Sequence, residues 1–173
     1  MNSRAWAAVA AALFLLPFQA SGAQLIDFDK YRVPVWQGPR KLPVFHSRKD
    51  PGYEFRTTLR REFANGPIVA GHYVLTRIGC GMGCKFYSLG DIRTGKIEDM
   101  IDFPISGEDF FSPELKTVPD SRLIVARWNP DDIEDESCFT RQFVLKGKKF
   151  VPLGPVEHHD KEFCSPDLFD GTD

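Results

Sequence analysis

The spacing of apolar residues changes character along this chain, and each change marks a different element. Residues 5–18 form an apolar run broken only by Pro17. Between 24 and 44, four short apolar groups are separated by Pro34, Gly38, Pro39 and Pro43. That spacing opposes a helix and predicts extended chain and edge strands, so residues 24–50 read as a segment wrapping the domain. Asp50-Pro51 then reads as a helix cap and first helical position, with Gly66 available to close the helix. Phe55, Leu59 and Phe63 recur every fourth residue and form one apolar stripe for packing on a sheet. Arg56, Arg60 and Arg61 would face outward.

From Ile68 the period becomes that of strands. Residues 68–78 are rich in β-branched and aromatic types, and a second strand is predicted over 85–92. Thr94-Gly95 signals a tight turn into a strand over 96–103. Further strands are predicted over 121–128, 139–145 and 150–153, the last two as a hairpin about Gly147. Residues 154–173 follow as a C-terminal tail. Consecutive strands joined by short turns predict a mainly β fold: an antiparallel meander forming a curved sheet or small sandwich, with one N-terminal amphipathic helix. Too few strands are present to close a propeller. Two connections exceed a turn, 104–119 and 129–137, and loops of that length are common places for function.

The first apolar run has a targeting reading. Arg4 precedes it and Ser21-Gly22-Ala23 follows it, so residues 1–23 are expected to be a secretory signal peptide, with 24–173 the single exported domain. The run is too short to span a bilayer, and no later segment would anchor the processed chain. The expected location is the periplasm or the exterior. Removing the leader takes away Arg4 and no acid, leaving 21 Lys plus Arg against 24 Asp plus Glu, a net charge of −3. That balance gives no general attraction to nucleic acid. The charge is uneven, however: residues 24–61 hold nine Lys or Arg and four acids, and residues 129–173 hold eleven acids and five Lys or Arg. Such ends either lie against each other, remain solvated, or meet a charged partner.

Export changes what the four cysteines mean, because disulfides persist in oxidising compartments. Three pairings are open. Cys80 with Cys84 and Cys138 with Cys164 is preferred, since Gly81 and Gly83 can take the positive φ angles that bring two strand ends within bridging distance. A zinc site from Cys80, Cys84, His72 and one of His158 or His159 has suitable ligand types but matches no common spacing. A redox pair at Cys80 and Cys84 has three residues between its thiols where the thioredoxin-type motif has two, and strands flank it where a helix would lower a thiol pKa.

His72 is expected inside a strand, where it could serve as a general base if a nucleophile faced it. No nucleophile elbow, zinc-protease motif or phosphate loop accompanies it, and no cofactor is implied. His158 and His159 offer a weak metal-binding possibility on the tail. Asp131 and Asp132 open an acidic loop that lacks the glycine and ligand alternation of a calcium loop.

At Gly66-Pro67-Ile68-Val69-Ala70-Gly71-His72-Tyr73, followed by Gly79-Cys80-Gly81-Met82-Gly83-Cys84, the chain resembles a group of short exported bacterial proteins of uncharacterised function. Their stretch has Asn-Phe where Ile68 and Val69 stand, and commonly an aromatic where Ile78 stands. The resemblance spans roughly residues 55–153; it implies export and a β-rich domain, and no activity.

The function expected from the residues is therefore a protein-binding or inhibitor-type module of the cell envelope. A loop bearing Ser106, Phe110 and Phe111 would enter a protein partner's cleft, because buried aromatic anchors dominate interface energies. The alternatives are an enzyme using His72 with the Cys80 and Cys84 loop, hydrolytic or thiol-redox, and a carrier of a small ligand or metal.

Overall fold

Along the strand Leu123–Trp128, Ile124, Ala126 and Trp128 alternate with Leu123, Val125 and Arg127, and all six are buried. A strand covered on both faces belongs to the middle of a layered structure, and that is its place. The computed structural model describes residues 26–81, 84–101, 113–130 and 136–164. The strands are β1 (Ile68–Val69), β2 (Tyr73–Gly81), β3 (Cys84–Asp91), β4 (Lys96–Ile101), β5 (Glu114–Thr117), β6 (Leu123–Trp128), β7 (Cys138–Lys146) and β8 (Lys149–His159). They form two four-stranded sheets, β1-β2-β3-β4 and β5-β6-β7-β8, with every neighbour antiparallel. The fold is mainly β, as the sequence predicts.

The two sheets share one core. Val69, Tyr87 and Leu89 from the first sheet join Ile124, Ala126, Trp128, Phe143 and Leu145 from the second in a single buried cluster. Register explains the pairing: Ile124 stands opposite Phe143, and Leu145 opposite Phe150, so the large side chains of the second sheet point to one face.

The single α-helix among the described residues, α1 (Arg56–Asn65), covers the other face of the first sheet. Leu59 and Phe63 are fully buried, and Phe63 packs with Val74 and Ile92. Phe55 precedes the helix in a 3-10 turn, Tyr53–Phe55, and meets Phe86 edge-on at 5.3 Å. Asp50 does not cap the helix. Its carboxylate turns back to accept from the amides of His46 and Ser47, at 2.5 and 3.0 Å. The carbonyls at the other helix end are held by Arg40, whose Nη1 donates to Phe63, Ala64 and Gly66.

Residues 26–50, hereafter the strap, form no strand and run as a largely irregular segment over the domain. Val33 donates to Asp120 O and Arg122 donates to Tyr31 O, which fastens the strap to the turn between β5 and β6. Trp36 then donates to Gly71 O, and Lys41 to Ile92 O, on turns of the first sheet. One extended segment thus ties together both sheets and the helix.

Three expectations are corrected. The stretch 68–78 is two strands, because Ala70 (φ 50) and Gly71 (φ 83) take left-handed backbone and turn the chain; His72 lies in that turn and not inside a strand. β5 falls within the long connection 104–119, where the pattern Glu114-Leu115-Lys116-Thr117 is too short to stand out from its loop. The chain does not become a tail after Leu153: β8 runs on to His159 across a bulge, pairing Cys138 with His159 and Phe139 with His158. Pro152 and Pro155 are tolerated there because β8 is a sheet edge, where missing N–H groups cost nothing and discourage pairing with other chains. Ser106, Phe110, Phe111, Asp131, Asp132 and residues 1–23 lie outside the described residues.

Candidate functional site

The turn carrying His72 is where the strap, both sheets and the Asp91 turn converge. Ala70 donates to Ser121 O at 3.0 Å and Gly71 to Pro119 O at 2.8 Å, while Trp36 donates to Gly71 O at 2.7 Å. The left-handed backbone at 70 and 71 makes these three bonds possible, which gives the Ala-Gly-His-Tyr stretch a structural reason. Beside it opens a groove of about 690 Å³, walled by residues 33–38 of the strap and by Ala70, His72, Tyr73, Arg93, Arg122, Leu145 and Gly147.

The electrostatics of this corner are settled by Arg93. The loop from Asp91 to Lys96 turns on a hydrogen bond that the Arg93 backbone N–H donates to Asp91 Oδ1 (2.8 Å), and the Arg93 guanidinium then clasps the same carboxylate from Nε (3.2 Å) and Nη2 (2.9 Å). Burial alone pushes the Asp91 carboxyl up, but the Arg93 side chain and amide together hold it below its ordinary range. His72 Nε2 lies 3.9 Å from Asp91 Oδ2, beyond hydrogen-bond reach, and is buried with no partner. Burial, and then the positive charge of Arg93, lower the His72 pKa, so the imidazole is neutral at pH 7. Its ring lies over Tyr73 at 4.1 Å.

Trp36 supplies the groove's exposed aromatic surface. It keeps 40% of its surface exposed, yet it is fixed in place: Nε1 donates to Pro39 O at 3.3 Å, and the ring lies on Gly38. A β-carbon at position 38 would fall 2.3 Å from the ring, so glycine is required for this posture. Arg122 is exposed, and its guanidinium has no ion-pair partner among the described residues. Arg93, by contrast, is already engaged.

Among the described residues, no Ser, Thr, Cys, Asp or Glu lines the groove. Cys80 and Cys84 sit at the opposite end of the β2–β3 hairpin, where Gly81 pairs with Cys84. Eight residues of strand put them on the order of 25 Å from His72, so the expected cooperation of His72 with that loop, and the zinc set combining them, is not formed. The side chains of Cys80 and Cys84 lie outside the described residues.

Cys138 and Cys164 are joined, with Cα atoms 5.7 Å apart. The bridge draws the chain after β8 across Arg127, whose Nη1 donates to Cys164 O at 2.7 Å and whose Nη2 pairs with Glu114 at 2.6 Å. His158 and His159, neighbours on one strand, project to opposite faces and do not converge on a metal. His159 Nε2 meets Thr140 Oγ1 at 2.7 Å, and His158 Nε2 meets Ser137 Oγ at 2.9 Å.

Trp36, Arg93 and Arg122 line the groove, and Asp91 holds Arg93, but all four stand out weakly in the sequence. A tryptophan before Gly-Pro in an otherwise proline-broken segment was a usable signal for a fixed, exposed ring, and Asp-x-Arg before Thr-Gly was one for a charge-locked turn. Arg122 had none. Comparison with protein-family models, with curated proteins and with solved structures finds no match to this chain.

Proposed function

We propose that this protein is an exported binding module of the envelope, adaptor or inhibitor in type, that holds an acidic segment of a partner protein in the groove beside His72. The observation that carries this reading is Trp36, an exposed indole immobilised by Gly38 and Pro39 over the groove. A rigid aromatic surface binds at low entropic cost, and tryptophan and arginine are the residue types that dominate interface energies. Arg122 supplies an uncommitted cation for a carboxylate, and neutral His72 adds a hydrogen-bonding ring without a competing charge. The leader-like pattern of residues 1–23 and the Cys138–Cys164 bridge support an oxidising location. No helix among the described residues is long and apolar enough to cross a membrane.

A second reading is favoured by one observation: about 690 Å³ is also the size of a small-ligand site. One experiment separates the two. A photo-crosslinking amino acid at position 36, in cells exporting the protein, should give a discrete protein adduct that disappears when Arg122→Glu is added. The same crosslinker at exposed Asp160 should not give it. If position 36 yields nothing beyond what position 160 yields, the groove is not a protein-docking site. Native mass spectrometry then decides for a retained small acid or for neither.

A further inference from the structure

The basic N-terminal segment of the chain remains unexplained by the groove. Among the described residues, the ion pairs of the cations in 26–61 are to Asp29, Asp120 and Glu62, and none is to a residue beyond 128. The cations collect instead on one surface. The strap runs alongside α1, with Arg40 at the helix's last carbonyls, Pro43 O accepting from Arg60 Nε at 3.2 Å, and Phe45 meeting Tyr53 before the first turn. Lys41, Arg48 and Lys49 of the strap are exposed with no side-chain partner among the described residues, and Arg56 and Arg60 of the helix are exposed as well.

The same surface carries apolar side chains pointing into solvent. The exposed large apolar residues among the described ones, Ile26, Trp36, Leu42 and Val44, all lie in the strap. Leu42 is 45% and Val44 68% exposed, while Pro43 between them is buried, so in this extended run both project outward together. Arg56 and Arg60 lie over the rings of Tyr53 and Phe45, at 4.5 and 5.5 Å, and so keep their charges at the level of that ridge.

We propose that this face, with Leu42 and Val44 at its crest and Lys41, Arg48, Lys49, Arg56 and Arg60 around it, rests on an anionic phospholipid surface. A protruding aliphatic ridge ringed by cations matches what an interface of acyl chain and acidic headgroup offers. A protein partner would be met more effectively by a concave site with an aromatic anchor, and this molecule has one elsewhere, in the groove. The face does not depend on the groove's role: the apolar ridge would enter the headgroup boundary, and the cations would give attraction that salt screens.

Sedimentation with vesicles tests this, using the protein in the form the cell exports. Vesicles with about a third phosphatidylglycerol in phosphatidylcholine should retain the protein, pure phosphatidylcholine should not, and raised salt should release it. Lys41→Glu with Arg48→Glu and Lys49→Glu should weaken retention about tenfold or more, and Leu42→Ser with Val44→Ser by several-fold, with circular dichroism unchanged. Trp36→Ala with Arg122→Glu should leave it unaltered, which keeps the groove's fate separate. Equal retention by neutral vesicles, or insensitivity to both surface variants, overturns the proposal. Retention by polyglutamate beads but not by anionic vesicles overturns it also, in favour of an acidic protein.

Discussion

The strap passes Gly71 so closely that the carbonyl oxygen of Pro34 lies 2.3 Å from where a β-carbon on residue 71 would stand. Gly71 also has φ of 83°, and its own carbonyl accepts from Trp36. One residue without a side chain therefore sets both the turn into β2 and the crossing that forms the groove. Gly71→Ala should cost about 2 to 4 kcal/mol, from left-handed strain plus displaced backbone, and should loosen the strap first. Urea unfolding gives the first quantity, and hydrogen exchange at Trp36 and Lys41 amides gives the second. An unchanged midpoint would mean that the crossing is not tight.

Gly90 and Phe63 form a similar pair inside the first sheet's outer layer, since a β-carbon at 90 would fall 2.0 Å from the Phe63 ring. Gly90→Ala should destabilise by about 1 to 3 kcal/mol through overpacking. Phe63→Leu alone should cost roughly 1.5 kcal/mol. Combined, they should cost less than their sum by about 1 kcal/mol, because the smaller side chain makes room for the methyl. Strict additivity in a double-mutant cycle would show that α1 does not sit on Gly90 as described.

The Cys138–Cys164 bridge closes a long loop with a sequence separation of 26. Replacing both cysteines by alanine, which leaves no buried hydroxyl at fully buried Cys138, should cost about 3.5 kcal/mol, the loop-entropy value for a closure of that size. Release of residues 160–164 should also leave Arg127 without the Cys164 carbonyl. A thermal melt of the double variant against the parent measures the loss, and no loss would place the bridge outside the stabilising contacts.

Stability should depend on pH through His72. Its pKa in the folded protein is depressed from 6.5, chiefly by burial and then by Arg93. Above 6.5 neither state holds the proton and the group contributes nothing. As pH falls below 6.5 the unfolded chain takes up a proton that the folded one refuses, so stability declines until the folded value is passed. Asp91 has the same sign at lower pH: the stability it lends is present above its ordinary 3.8 and fades as pH drops through its lowered value. Urea midpoints measured downward from pH 7.5 should fall more steeply for the parent than for His72→Gln. Parallel curves would refute a buried, neutral imidazole.

How far the residues alone could be read differs by element. β6 and β7 announced themselves because dense runs of Ile, Val, Phe and Leu leave little other choice, and the four-residue spacing of Leu59 and Phe63 located the helix. The end of β8 is not legible locally: prolines such as Pro152 and Pro155 suit an edge strand and not a central one, and whether a strand is an edge is a property of the whole sheet. His72 was found, but its surroundings were not. Its distance from Cys80 follows from β2 lying straight between them, and its electrostatic neighbours, Asp91 and Arg93, arrive from a turn some twenty residues away.

Local chemistry in the chain was enough to determine a β-rich meander with one amphipathic helix, and it favoured, without fixing, Cys164 as the partner of Cys138. These depend on side-chain periodicity, backbone limits at proline and glycine, and a short list of sulfur pairings. The tertiary structure alone decided that the meander divides into two sheets, that the strap crosses at Gly71, and that a groove lined by Trp36, His72 and Arg122 results. Those outcomes rest on contacts between residues remote in sequence, whose geometry no local pattern encodes.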